Sequence, residues 1–114
     1  MKIINLTEKT IIAVRAKKAK SFFSRLQGLL GKKFFGLEDA LIIEGCQAIH
    51  MFFMKFPIDV IFVDRTNTVV GLVVNIKPFC LSPFFFRARQ AIELPSGSIE
   101  KSSVHIGDCL EIEE

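Results

Sequence analysis

Short apolar segments alternate with polar turns along the chain, and this alternation is typical of β-strands joined by tight connections. Polar residues 65–68, with apolar segments on both sides, indicate a hairpin, and a second hairpin is indicated around residues 7–9. Residues 98–103 can form one helical turn after the turn signal at 95–97. The predicted strands are residues 3–6, 10–17, 40–43, 58–63, 69–74, 90–94 and 109–112.

One helix is predicted between the first two strands and the third apolar segment. Ser21 can cap it, and Phe22, Leu26 and Leu29 recur at the spacing of one helical face. The favoured interpretation is an amphipathic helix that docks this face on the core and keeps its lysines in water. A basic helix lying on a membrane surface or on nucleic acid is the alternative.

Residues 45–64 hold more unlike chemical groups than any other stretch of similar length. In an extended conformation His50, Phe52 and Met54 share one face, and Lys55 lies on the other. Both faces are mostly apolar, which predicts an interior strand over residues 50–56 that breaks at Pro57.

Residues 75–89 show no clear period, and they contain two prolines and four of the twelve phenylalanines. This composition predicts a loop. The loop is expected to fold back over the core, and the alternative is an exposed patch that contacts a partner or a membrane.

The strands, turns and single short amphipathic helix predict a mainly β fold, a compact antiparallel β-sandwich or small barrel, with residues 1–114 as one domain. Half of the residues are hydrophobic. No apolar run reaches the about 18 residues that cross a bilayer, so no transmembrane segment is predicted. The amino terminus has no apolar segment of signal-peptide length, and we expect a cytoplasmic protein.

The charges are distributed unevenly, although the net charge is only +3. Residues 1–36 carry nine Lys or Arg and one acid, whereas residues 37–114 carry six Lys or Arg and eleven acids. This asymmetry suits an anionic partner surface near the amino-terminal third. Nucleic acid is not favoured, since no recognised motif accompanies the basic residues.

The three cysteines, Cys46, Cys80 and Cys109, are odd in number and form no CxxC pair, which is typical of free thiols. Cys46 and His50 could form an activated thiol only if they met, and on a strand they would lie about 13 Å apart. Together with Met54 they could also bind a soft metal. The spacing is unspecific, so we predict neither a metal nor a cofactor.

Lys55 and Asp59 flank Pro57 and could pair, either as a structural ion pair or at the rim of a ligand pocket. A buried carboxylate is costly without partners. We therefore expect Asp59 to contact Lys55, an arginine such as Arg25, or backbone amides.

Several motifs together resemble the family called domain of unknown function 192, over residues 20–112. The resemblance implies a compact, mostly β fold, similar to a jelly-roll-like sandwich, with the helix packed on it. It implies no activity, and members often carry a secretion signal, which we do not expect in this chain. Phe79 and Cys80 depart from the family pattern, where Trp and a basic residue are frequent. The motifs are RLQGLLGK at 25–32, GCQAIHMFFMKFPIDVIFVD at 45–64, VVGLVVNIKPF at 69–79, ELPSGS at 93–98 and HIGDCLEI at 105–112.

The sequence favours a non-enzymatic module that binds a small molecule or a protein in an apolar cleft around residues 46–59. One alternative is an enzyme that uses Cys46, His50 or Asp59, and another is an accessory protein that binds an anionic surface through its basic third. A peripheral membrane contact fits the last of these. The candidate ligand-binding residues are His50, Phe52, Met54, Lys55, Asp59, Cys46, Arg25 and Phe79.

Overall fold

The computed structural model describes residues 1–19, 36–52 and 54–114. Within these residues the chain forms eight strands and one short helix. The helix predicted after Ser21, and with it Arg25, lies outside the described residues. The elements are β1 (Lys2–Asn5), β2 (Thr10–Ala13), β3 (Arg15–Ala19), β4 (Asp39–Glu44), β5 (Ile58–Val63), β6 (Val69–Ile76), β7 (Gln90–Pro95), α1 (Ser98–Lys101) and β8 (Leu110–Glu113).

The strands form two sheets, one with the order β2-β1-β8 and one with the order β3-β4-β7-β5-β6. The pairs are antiparallel except for β3 and β4, which run parallel. A parallel pair needs a connection of about a dozen residues or more, and residues 20–38 supply that length. The mainly β fold with one short described helix is confirmed.

One hydrophobic core lies between the two sheets. Ile3 of β1 and Leu110 of β8 meet Ile61 of β5 and Ile92 of β7, and all four are buried. The alternate residues of the larger sheet build a second core, in which Val60 and Phe62 of β5 pack with Ile43 of β4. Both faces of the larger sheet are therefore covered, which explains why all six residues of β5 are buried.

Two loops cover the second core. The first covering loop, residues 45–52 and 54–57, contributes Ile49, Met51 and Met54, and the second, residues 77–89, contributes Ala88 and part of Phe85. The hydrophobic effect thus requires apolar residues in both loops although neither is a regular strand.

The strand predicted over residues 50–56 is wrong within the residues described there. Only His50 makes a β-bridge, an isolated one to Leu81, and the residues that follow lie in turns and irregular backbone. Met51 and Met54 are buried while Phe52 is exposed, so the burial does not follow the period of two that the strand required.

The other local predictions agree well with the structure. The β1–β2 and β5–β6 hairpins, β7, the helical turn and the last strand are confirmed within one or two residues at most ends. The strand predicted over residues 10–17 is divided, because Val14 and Arg15 donate backbone hydrogen bonds to the carbonyl oxygen of Glu38. The chain thereby passes from the smaller sheet to the larger one.

Candidate functional site

Asp59 lies inside the fold with a side chain that is fully buried. Its Oδ1 accepts a hydrogen bond from the Asn75 backbone N–H at 2.8 Å, and its Oδ2 accepts from Gly97 N–H at 3.1 Å and Ile99 N–H at 2.9 Å. Backbone amides, the third of the partners expected from sequence, therefore hold this carboxylate. None of the ion pairs between described residues includes Lys55, which is exposed.

The turn before α1 explains why these amides converge. Gly97 has a φ of 97°, a left-handed conformation that favours glycine. It is the N-cap of α1 and provides no side-chain cap, so Asp59 from β5 supplies the acceptor. Ser96 Oγ also lies 2.7 Å from Asn75 Oδ1 and joins the same turn to the end of β6. With both carboxylate oxygens held by buried or partly buried backbone amides, Asp59 has a structural role.

The remaining candidate residues do not share one surface. Met54 is in the second core, whereas Phe52 and Phe79 are 43% and 68% exposed. His50 is half-buried and its ring centroid lies 5.0 Å from that of Phe52. Cys46 is also half-buried, and its Sγ–H donates to the carbonyl oxygen of Ala48 at 3.1 Å.

Backbone hydrogen bonds hold the two covering loops against each other. Met51 donates to Cys80 O at 2.9 Å, and Phe79 donates back to Met51 O at 2.9 Å. Farther along, Ser82 donates to Ile49 O at 3.0 Å. Because these contacts are irregularly spaced, the loops run side by side without forming a sheet.

The same loops present large apolar side chains to solvent. We call these residues the aromatic loop surface; they are Phe52, Phe79, Leu81, Phe84 and Phe86, which are 43%, 68%, 68%, 64% and 80% exposed. The favoured expectation that the loop at 75–89 folds back over the core holds for Phe85 and Ala88, whereas its other three aromatic residues are exposed.

Phe85 anchors the aromatic loop surface to the sheet. Its ring centroid lies 4.5 Å from that of Phe62 on β5, and it is half-buried beside the second core. A Cβ atom on Gly71 of β6 would overlap the Phe85 ring. Glycine is therefore needed at position 71 to admit the ring, and the loop is seated on a space that the sheet leaves open.

An open cleft lies where the second covering loop meets the β5–β6 turn. Its volume is about 620 Å³, and its lining includes Arg65, Arg87 and Arg89 together with Phe86 and Asp64. A neighbouring cavity of about 370 Å³ shares Arg65, Arg89 and Asp64. Three arginines thus line one region of the surface.

Asp64 organises the β5–β6 turn. Its Oδ1 accepts hydrogen bonds from the Thr66 N–H and Oγ–H, both at 2.9 Å, and from the Thr68 N–H at 3.0 Å. Partial burial alone would raise the pKa of Asp64, but the hydrogen bonds from Thr68 and Thr66 and the positive charge of Arg87 together lower it. Asp64 therefore stays ionised beside the arginines.

Sequence reasoning missed the three arginines. Arg65 belongs to a hairpin turn and Arg87 and Arg89 to a loop, so only the fold brings them together. They also belong to the part of the chain whose net charge is negative, and the lysine-rich amino-terminal third dominated the charge pattern. One sequence feature could have indicated this site: Arg87 and Arg89 directly follow three consecutive phenylalanines.

Glu8, His105 and Asp108 form the one group of metal-ligand type within the described residues. His105 Nδ1 lies 3.7 Å from both Glu8 Oε2 and Asp108 Oδ2. Asp108 Oδ2 already accepts hydrogen bonds from Asn5 Nδ2 and from the His105 N–H, both at 2.9 Å. These bonds give Asp108 a structural role at the end of the smaller sheet. His105 is exposed.

Comparison with known proteins places the chain among proteins of similar size. The family model described as DUF192, Uncharacterized ACR, matches residues 3–112. A UPF0127 protein of Pyrococcus furiosus is 33% identical over 114 residues, and the match covers 96% of each chain. A UPF0127 protein of Thermococcus sibiricus is 34% identical over 118 residues, which cover 98% of this chain and 76% of the relative.

A crystal structure of a protein of unknown function from Novosphingobium aromaticivorans has a similar fold. The TM-score is 0.79 at 19% sequence identity, and the match covers 97% of this chain and 82% of that one. Among the described residues, no helix is both long and apolar enough to cross a membrane.

Proposed function

The chain belongs to the DUF192 family, and from the geometry of its two covering loops we propose that it is a non-catalytic module that binds another protein through the aromatic loop surface. The observation that carries the proposal is the exposure of five large apolar side chains on two loops that are themselves fixed to the core. Exposed apolar clusters of this kind are typical of interaction sites.

The composition of this region favours a protein partner. Phenylalanine and arginine are enriched at the centres of protein interfaces, and Phe86 lies beside Arg87 in the open cleft. Phe85, held on Phe62, fixes the backbone between Phe84 and Phe86 before any partner arrives. Such pre-organisation lowers the entropy cost of association.

The aromatic loop surface differs from the apolar cleft that the sequence led us to expect around residues 46–59. Met54 contributes to the core, so the candidate binding residues there reduce to the exposed Phe52 and Lys55 and the half-buried His50, whose ring centroid lies 5.0 Å from that of Phe52. The second covering loop supplies the larger share of the surface. An enzymatic role for Asp59 has no support, because its two oxygens are held by backbone amides.

Site-specific photo-crosslinking tests this proposal. A photoreactive phenylalanine analogue is placed at Phe84 or Phe86, and irradiation in an extract of the source cells should yield a protein adduct of defined mass. Ile106 and Ile11 are the matched control positions, since they are 61% and 58% exposed but lie outside the aromatic loop surface.

The controls decide the outcome. An adduct that forms from Phe84 or Phe86 and is absent from Ile106 and Ile11 supports a docking surface. Equal labelling from all four positions, or labelling of lipid alone, would overturn the proposal and, in the second case, favour a membrane contact.

A further inference from the structure

The open cleft between the second covering loop and the β5–β6 turn carries an excess of positive charge. It is lined by three arginines and one acid, Asp64. We propose that this cleft binds the phosphoryl group of a small organic phosphate, at a site that borders the aromatic loop surface and shares Phe86 with it.

None of the three arginines forms a close ion pair with an acid among the described residues, although the charge of Arg87 acts on the neighbouring Asp64. Arg15 shows the contrast, since its guanidinium lies 2.8 Å from Asp39 and 3.3 Å from Glu38. Guanidinium groups present forked donors that match phosphate oxygens, so groups in a cleft that are outside any close ion pair are suited to such a ligand. One Arg89 nitrogen donates to the carbonyl oxygen of Ala88 at 3.2 Å, which leaves the other donors of this fork for the ligand.

The backbone that carries these arginines is fixed on both sides of the cleft. Arg89 donates its N–H to Val63 O at 2.8 Å, and its own carbonyl oxygen accepts from Gly45 N–H at 2.7 Å. Gln47 Nε2 donates to Phe86 O at 2.8 Å, next to Arg87. The arginine side chains can then change rotamer on binding while their backbone stays in place.

Asp64 offsets only one of the three positive charges that line the cleft. Its Oδ1 is engaged by Thr66 and Thr68, which keeps the carboxylate bound to its own turn. Its main effect is to hold the turn that presents Arg65. The neighbouring cavity includes Glu44 as well, so the phosphoryl group is assigned to the larger cleft.

The size and walls of the cleft indicate more than an inorganic ion. Its volume of about 620 Å³ lies within the range of about 300–1,000 Å³ that is usual for small-molecule sites. Phe86 gives it an exposed aromatic wall. A phosphate monoester with a flat apolar group could contact the arginines and stack on this ring.

Calorimetric titration with two defined probes tests the site. Phenyl phosphate carries both a phosphoryl group and a ring, whereas inorganic phosphate carries the charge alone. We expect both to bind and phenyl phosphate to bind more tightly. Combined Arg87→Gln and Arg89→Gln should weaken the binding of both probes by about tenfold or more, since each change removes charge-assisted hydrogen bonds.

Two matched variants separate the site from general electrostatics. Combined Lys2→Gln and Lys101→Gln removes the same charge elsewhere and should leave both affinities within about twofold. Phe86→Ala should reduce the advantage of phenyl phosphate and leave inorganic phosphate unchanged. Failure of either probe to bind, or equal weakening by the lysine pair, would overturn the proposal. Crosslinking from Phe84 does not depend on these arginines. The phosphate titration and the crosslinking experiment can therefore fail independently of each other.

Discussion

Two aspartates at opposite ends of β5 are used in contrasting ways. Asp59 is fully buried near the start of the strand, and its partners are amides 16, 38 and 40 residues away in sequence. Asp64 directly follows the strand, is half-buried, and takes its hydrogen bonds from Thr66 and Thr68.

The difference lies in what each carboxylate joins. Asp59 connects β5 to the end of β6 and to the turn before α1, so its removal affects three parts of the fold. Asp64 shapes one turn beside the arginines of the open cleft. One end of the sheet therefore contributes to stability, and the other carries the proposed phosphoryl site.

Replacing Asp59 should have the largest effect on stability. Asp59→Ala leaves three buried or partly buried amides without their acceptor, and we expect the free energy of unfolding to fall by about 3–4 kcal/mol. Urea denaturation followed by circular dichroism measures this change. Asp59→Asn keeps one acceptor oxygen, so its free energy of unfolding should lie between those of Asp59→Ala and the native protein. If Asp59→Ala cost no more than Asp64→Ala, the distinction between the two ends would fail.

Gly71→Ala should have the next largest effect. The new methyl group would collide with the Phe85 ring, and overpacking of this kind costs about 1–3 kcal/mol. The collision should also displace the second covering loop, which faster amide exchange at Phe84 to Ala88 would report.

The control for this substitution is a double-mutant cycle. With Phe85→Ala already present, adding Gly71→Ala should cost little more, because the colliding ring is gone. Additive costs would mean that the backbone of β6, and not the ring of Phe85, requires glycine.

Asp64→Ala should cost less, about 0.5–1 kcal/mol, since its hydrogen bonds are local and partly solvated. The folded state lowers the pKa of Asp64, so its stabilisation is present above the unfolded-state pKa of about 4 and is lost as pH falls through the lower folded-state pKa. Unfolding free energies of the native protein and Asp64→Ala should therefore converge in acid. A gap that stayed constant down to the acid limit would contradict this linkage.

The sequence predicted the parts of the fold that depend on local pattern. The β5–β6 hairpin follows from continuous apolar runs around a polar turn, and α1 follows from the turn that ends at Gly97. The strand predicted over residues 50–56 was wrong because an apolar loop that covers a sheet has the same composition as a buried strand. Only the tertiary structure distinguishes these two cases.

The candidate site was less accessible from sequence for a related reason. Backbone amides were among the partners expected for Asp59, but which amides they are depends on how β6 and the α1 turn meet β5. The arginine cleft joins Arg65 to Arg87 and Arg89 across a hairpin and a loop. No spacing rule relates such positions, and their charges were hidden in an acidic part of the chain.

The smallest effect on stability is expected at the aromatic loop surface. Combined Phe84→Ser and Phe86→Ser should change the free energy of unfolding by less than about 0.5 kcal/mol, because these rings are 64% and 80% exposed. Phe85→Ser, between them in sequence, should cost about 2 kcal/mol because its ring packs on Phe62. Thermal and urea unfolding of the two variants side by side measure the contrast. If the double variant were as unstable as Phe85→Ser, Phe84 and Phe86 would belong to the core. If it keeps native stability, weaker partner binding by the same variant reports recognition itself and not unfolding.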